Sequence, residues 1–188
     1  MLNPENQMTT YFLFLRAINV GGHNMIKIKD LALWMEQLGY SNINTYLNSG
    51  NVVFQTNSTD PLQIAQKIRD KIMLEAKLDI ACLIRNLSEL RGVKERLMQQ
   101  VATRPEAATL FVTFLSGKPS LEGIVKIKSV KAGNDTFRLY DTEVVLECQQ
   151  PYHKTKLSNT LFEKTFKLDA TTRNSNTVNA LLKLADKT

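Results

Sequence analysis

Residues 11–24 read YFLFLRAINVGGHN: an apolar and aromatic run from Tyr11 to Leu15 stops at Arg16 and gives way to Asn19, Gly21, Gly22, His23 and Asn24. A run with almost no polar interruption is the pattern of a covered strand, and paired glycines permit backbone angles that side chains forbid. The stretch reads as a buried strand that delivers a polar, glycine-hinged loop to one end of a sheet. Loops held on such scaffolds are where binding and catalysis concentrate.

Outward from that loop, Ile28, Leu31, Met35 and Leu38 recur in steps of three and four, one helical face, with Asp30 near the start and Gly39 as a C-cap. Two strand-like runs, Ile43 to Leu47 and Asn51 to Gln55, flank the turn signal Asn48-Ser49-Gly50 and read as a hairpin. Asp60-Pro61, a cap followed by proline, opens an amphipathic helix to Leu78 carrying Ile64, Ile68 and Ile72. Ile80 to Arg85 makes a fourth strand, and Ser88 is expected to cap a helix running to about Val101.

Strand, helix, strand, strand, helix, strand is the order of the ferredoxin-like plait, an antiparallel sheet with helices on one face. Past Arg104-Pro105 the order starts again: a strand at Thr109 to Leu115, a helix from Pro119 to about Ile127, and a hairpin of Thr136 to Tyr140 with Glu143 to Cys148. A helix from Lys156 to Phe166, an extended piece at Ala170 to Thr172 and a helix from Asn174 to Asp186 complete it. The expectation is an α+β protein of two tandem ferredoxin-like βαββαβ-type repeats, residues 1–103 and 104–188. In such a plait the loop after the first strand and the turn between the second and third lie at the same end of the sheet.

The chain has 188 residues, 43% hydrophobic and 22% charged, ordinary for a globular protein and enough for one domain or two small ones. Its uninterrupted apolar stretches fall far short of the roughly 20 residues that cross a bilayer, and MLNPENQMTT at the start is polar, so no membrane partner is expected and a cytoplasmic location is the default. Cys82 and Cys148 stand apart in strand-like segments and read as two buried thiols; with only His23 and His153 beside them, no metal spacing arises. The net charge is +6, with 11 Lys and Arg against 9 Asp and Glu up to residue 103 and 13 against 9 after it. That spread excess permits attraction to phosphates without demanding it.

Three blocks carry a family resemblance: LRAINVGGHN at 15–24 with IKIKDL following, TYLNSGNVVF at 45–54, and KLSN at 156–159 with TTRNSNT at 171–177. On these the chain resembles the bacterial family known as domain of unknown function 1697, over nearly its whole length. The resemblance implies a two-repeat α+β fold and brings no established activity. Departures from the usual family residues are Ala17 for glycine, His23 for a basic residue, Asn48 for glutamine and Ser175 for tryptophan. The last removes an aromatic ring that could have stacked on a ligand.

Candidate ligand-binding residues are Arg16, Asn19, Gly21, Gly22, Asn24, Tyr46, Ser49, Asn51, Lys156, Asn159, Arg173 and Asn174. Arg16 ends an apolar strand, where its guanidinium fork suits either a phosphate or carboxylate ligand or a structural ion pair. Gly21-Gly22 lacks dinucleotide or P-loop spacing; it is either a tight turn or, with the amides of residues 21 to 24, an anion nest. Asn48 to Asn51 have the composition of any hairpin turn, and Tyr46 that of any strand. Arg173 lies at the start of the last helix, with Asn174 as its N-cap. Lys156 and Asn159 are expected one turn apart on the preceding helix.

Three function classes follow. A binding protein would hold a small anionic or nucleotide-like ligand, Arg16 and Arg173 neutralising charge while Asn19, Asn24, Ser49 and Asn51 orient it. An enzyme acting on a phosphate-containing small molecule would use His23 or Ser49 and need a carboxylate from elsewhere in the fold. A nucleic-acid binder would rely on phosphate contacts, since the third strand, GNVVFQ, lacks the aromatic stacking platform of RNA-recognition plaits. Cofactor and oligomeric state are not legible.

Overall fold

The computed structural model describes residues 8–101 and 108–187. Eight strands and six α-helices follow in the order β1 (Thr9–Leu15), α1 (Ile28–Gln37), β2 (Ser41–Tyr46), β3 (Asn51–Thr56), α2 (Pro61–Ala76), β4 (Cys82–Asn86), α3 (Leu87–Val101), then β5 (Thr109–Leu115), α4 (Leu121–Lys128), β6 (Thr136–Leu139), β7 (Glu143–Cys148), α5 (Asn159–Phe166), β8 (Ala170–Asn174) and α6 (Ser175–Ala185). They form two antiparallel four-stranded sheets with the same spatial order, β2-β3-β1-β4 and β6-β7-β5-β8. The fold is α+β, a tandem βαββαβ arrangement. Two compact units divide the chain, one running up to Arg91 and resuming at Asn179, the other Gly92–Val178. The boundary expected at Arg104 lies outside the described residues.

In the first unit Leu13, Leu15, Val52 and Phe54 meet Leu31 and Met35 of α1 and Ile64, Ile68 and Ile72 of α2 in one core. In the second, Leu115, Val144 and Leu146 meet Ile127 of α4 and Phe162 and Phe166 of α5. Phe12, Phe14, Val53 and Leu83, which alternate with the first core set along their strands, are buried as well. Burial of both faces is why residues 11–15 read as a continuous apolar run.

The two repeats agree in register. Leu15 N donates to Gly50 O at 2.8 Å, as Leu115 N does to Thr142 O at 2.8 Å; Arg16 N donates to Ala81 O at 3.0 Å, as Ser116 N does to Asp169 O at 2.9 Å. Phe12 faces Arg85 across the sheet and Val112 faces Arg173. The residue after each arginine caps the next helix. Glu89 N donates to Asn86 Oδ1 at 2.9 Å and Thr177 N to Asn174 Oδ1 at 2.8 Å. The duplication is thus visible in residue identity, as an Arg-Asn pair, besides element order.

Four local expectations are corrected. Asn86 and Glu89, not Ser88, make the cap of α3: Asn86 N also donates to Glu89 Oε2 at 2.7 Å, a reciprocal capping box. Lys156 precedes α5, because Ser158 caps that helix by accepting from Leu161 N. The extended piece at 170–172 is a full strand, β8, pairing with β5 from Ala170 to Asn174. Of the two cysteines, Cys148 is buried but Cys82 only partly.

Candidate functional site

The loop from Arg16 to Lys27 winds through an unusual number of left-handed residues: Ala17, Asn19, Gly21, Gly22 and Asn24 all have φ between +50° and +79°. Asparagine and glycine bear that conformation at least cost, which accounts for the composition read in the sequence. Side chains then lock it. Asn19 Nδ2 donates to Ile26 O at 2.9 Å and to Asn48 O at 2.8 Å, while Asn19 Oδ1 accepts from Ile26 N at 2.9 Å. Asn24 Nδ2 donates to Ala17 O at 3.0 Å. The loop and the β2–β3 turn are therefore joined, as plait topology requires.

The turn itself depends on close approach. Gly50 has φ +70°, and a Cβ there would lie 2.6 Å from Leu15 Cβ and 2.8 Å from Ile18 Cδ1. Asn51, buried in β3, donates from Nδ2 to Tyr46 O at 3.1 Å and to Ser49 Oγ at 2.8 Å. Of the predicted residues in this unit, Asn19, Asn24, Ser49 and Asn51 are thus drawn into the framework of the loop and turn, and Tyr46 contributes its carbonyl. Gly21 and Gly22 are exposed, half of the expected nest; the amide of His23 donates to Val20 O at 3.0 Å.

Sequence reading missed Lys27. A groove of about 480 Å³ is lined by Asn19, Asn48, Met25, Ile26, Lys27 and Ile28. Lys27 is also the N-cap of α1 and, having no acceptor, makes no side-chain cap. The other five α-helices among the described residues are capped by Asp60, Asn86, Ser120, Ser158 and Asn174. Asp30 places one negative charge in the first turn of α1. The signal available in the sequence was a lysine where Ser, Thr, Asp or Asn normally begins a helix.

The remaining predicted residues belong to the second unit. Asn159, the first residue of α5, accepts from Thr172 Oγ1 at 2.6 Å, and Tyr152 OH donates to Thr172 Oγ1 at 2.9 Å. Thr113, fully buried, lies 2.7 Å from the same Thr172 oxygen. Arg173 Nη1 donates to Thr171 Oγ1 at 2.7 Å and Thr172 O at 2.8 Å, Asn174 is spent as a cap, and Lys156 is exposed. A second cleft, of about 790 Å³, was not foreseen; Arg96, Lys128, Arg138, Tyr140 and Asp141 are among its lining residues. There Arg96 Nη1 donates to the buried Glu143 Oε2 at 3.0 Å and its guanidinium lies 4.5 Å from the centre of the Tyr140 ring.

Burial, with a smaller contribution from the Asp135 charge, pushes the Cys148 thiol up to about 11. That makes it a poor nucleophile at neutral pH. Among the described residues there is no group of three or more His, Cys, Asp or Glu able to hold a metal ion, and no helix long and apolar enough to cross a membrane.

Sheet order, register and the paired Arg-Asn caps define a tandem ferredoxin-like α+β protein. Within that class the chain belongs to the family described as protein of unknown function (DUF1697), whose model matches residues 8–144. The chain is similar in structure to a conserved bacterial protein, SP0830, from Streptococcus pneumoniae, with a TM-score of 0.66 at 18% sequence identity, covering 95% of this chain and 99% of that one. At that identity the likeness speaks for the fold. No curated protein matches the sequence.

Proposed function

We propose that the protein binds a small anionic or nucleotide-like ligand in the groove between the loop of residues 16–27, the β2–β3 turn and the start of α1. The observation that carries this reading is the N-terminus of α1, begun by a lysine that cannot cap it and open on a groove whose walls are already hydrogen-bonded to each other. A helix N-terminus concentrates partial positive charge on amides that point outward, and an anion there replaces the missing cap. Lys27 adds a full charge on the same rim. The groove's apolar lining, Met25, Ile26 and Ile28, suits the uncharged part of such a ligand. Asn19 and Asn24 act by holding the walls, so that little ordering entropy is spent on binding.

The test is thermal unfolding of the full chain against nucleotides, sugar phosphates and inorganic phosphate, repeated with Lys27→Ala and Asp30→Asn. A ligand at 100 times its dissociation constant stabilises by about 2.7 kcal/mol. The expected result is a shift with one phosphate-bearing compound that is lost in Lys27→Ala and enlarged in Asp30→Asn. A shift equal in all three proteins would place the ligand elsewhere, and no shift across the panel would overturn the reading.

A further inference from the structure

The second cleft lies along a strand edge. Its lining includes Phe137, Arg138, Leu139, Tyr140 and Asp141, consecutive residues. Side chains on a strand alternate between faces, so a cleft touched by every residue in succession must run beside the strand rather than over one face. Among the described residues β6 is the outermost strand of its sheet, paired with β7 alone. Tyr140 N donates to Glu143 O at 2.8 Å, and hydrogen-bonded pairs alternate along an antiparallel ladder, so in the observed register the bonded pairs continue as Arg138 with Val145 and Thr136 with Glu147. The main-chain N–H and C=O groups of Phe137 and Leu139 therefore point away from β7, toward the cleft.

The corresponding edge of the first repeat is interrupted by a bulge. β2 shifts register between Ser41 and Asn44, Asn42 stands at φ +51°, and the Asn42 carbonyl accepts from Asn44 Nδ2 at 3.1 Å. Such a bulge is a usual way of blunting an edge. β6 carries no register shift.

The charges beside β6 say what fits. Arg96, Lys128 and Arg138 line the cleft with one acid, Asp141, whose carboxylate is 2.8 Å from Lys118 Nζ. Arg96 is held in place by Glu143, itself accepting from Thr142 Oγ1 at 2.8 Å, and by the Tyr140 ring. Ile124, Phe137 and Leu139 supply apolar lining. We propose that the outer edge of β6 is a docking site for a short extended acidic segment of a partner protein, which adds to the sheet as a further strand and sets alternate carboxylates against Arg138 and Arg96 on one face, with Lys128 flanking the other. Main-chain pairing supplies affinity in this mode, and alternate side chains the specificity. The site is independent of the α1 groove.

Fluorescence anisotropy of the full chain tests it, with a short labelled peptide in which Glu alternates with Val, blocked at both ends. Saturable binding is expected that weakens about tenfold in Arg138→Glu, since a lost and reversed ion pair is worth roughly 1.4 kcal/mol. Leu139→Pro removes an N–H that is not part of the β7 ladder, so the sheet is retained and peptide binding is lost; Arg138→Glu carries the test if that variant does not fold. The same peptide with lysine for glutamate, or with a central proline, is expected not to bind. Absence of saturable binding, equal binding of the lysine peptide, or displacement by inorganic phosphate or a nucleotide with Leu139→Pro unaffected would each overturn the proposal, the last in favour of a plain anion site.

Discussion

The two repeats share a ladder and differ at its ends. The amide that closes β1 donates to a glycine carbonyl, Gly50, while its counterpart in β5 donates to Thr142. After β1 the chain makes a long left-handed loop bound to the hairpin turn by Asn19. After β5 it reaches α4 by way of residues 116–120. Opposite the phenylalanine near the end of each first strand, the first repeat has Asn51, which organises its turn, and the second has Glu143, which holds Arg96. Main-chain pairing tolerates these exchanges because it uses atoms common to all residues. Divergence has therefore collected where side chains alone decide the structure: elaborated turns in one repeat, an outer strand beside basic side chains in the other.

The sharpest way to break this comparison is at Gly50. Gly50→Ala forces a Cβ into Leu15 and Ile18 at a left-handed backbone position, and a loss of about 3 kcal/mol or more is expected in urea unfolding. Thr142→Ala, at the equivalent place, is expected to cost about 1 kcal/mol through the lost bond to Glu143. Equal losses would mean that the first turn is not closely packed.

Asn19→Ala comes next. It deletes three side-chain hydrogen bonds and puts alanine at φ +54°, for an expected loss of about 2 to 3 kcal/mol, with faster amide exchange at Ile26. Glu143→Gln is expected to cost about 1 to 2 kcal/mol, because it weakens the hold on Arg96 without emptying the site. Asn86→Ala and Asn174→Ala test what the repeats have in common: each removes one cap, and each is expected to cost about 1 kcal/mol. A cost at one position only would end the equivalence of the two Arg-Asn pairs.

The last effect is absent at neutral pH and lies at alkaline pH. The Cys148 thiol is raised from 9.0 to about 11, so between those values the unfolded chain loses a proton that the folded one keeps. Stability then falls as pH rises through that window and is undisturbed below it. Cys148→Ala is expected to flatten that part of the stability profile, measured by unfolding at pH 8 and pH 11. At pH 8 the native thiol is expected to resist alkylation until the chain is unfolded.

Much of the architecture was legible because it rests on local chemistry. Ile64, Ile68 and Ile72 mark one face of α2, Asp60-Pro61 marks its start, and the repeated order of elements marks the duplication. Caps were legible in part: Asp60 and Asn174 are read from the sequence, but at α3 Asn86 prevailed over Ser88 because it has Glu89 three residues on to complete the capping box. The asparagines were visible as a cluster, but whether an amide points at a ligand or at a neighbouring carbonyl depends on chain segments far apart. Asn19 and Asn48 are separated by 29 residues, and only their approach in space decides that the bond is internal.

By itself, then, the amino-acid order determined the two-repeat α+β plan, the place of the polar loop and its meeting with the hairpin turn, since propensity, periodicity and strand order follow from neighbours along the chain. The tertiary structure alone decided that the asparagines serve as framework, that Lys27 begins a helix beside a groove, and that Arg96, Lys128 and Arg138 come together beside the outer strand of a sheet. Hydrogen bonds and clefts of that kind are made by residues distant in sequence, and a charge or an amide carries no local mark of the partner that folding will bring to it.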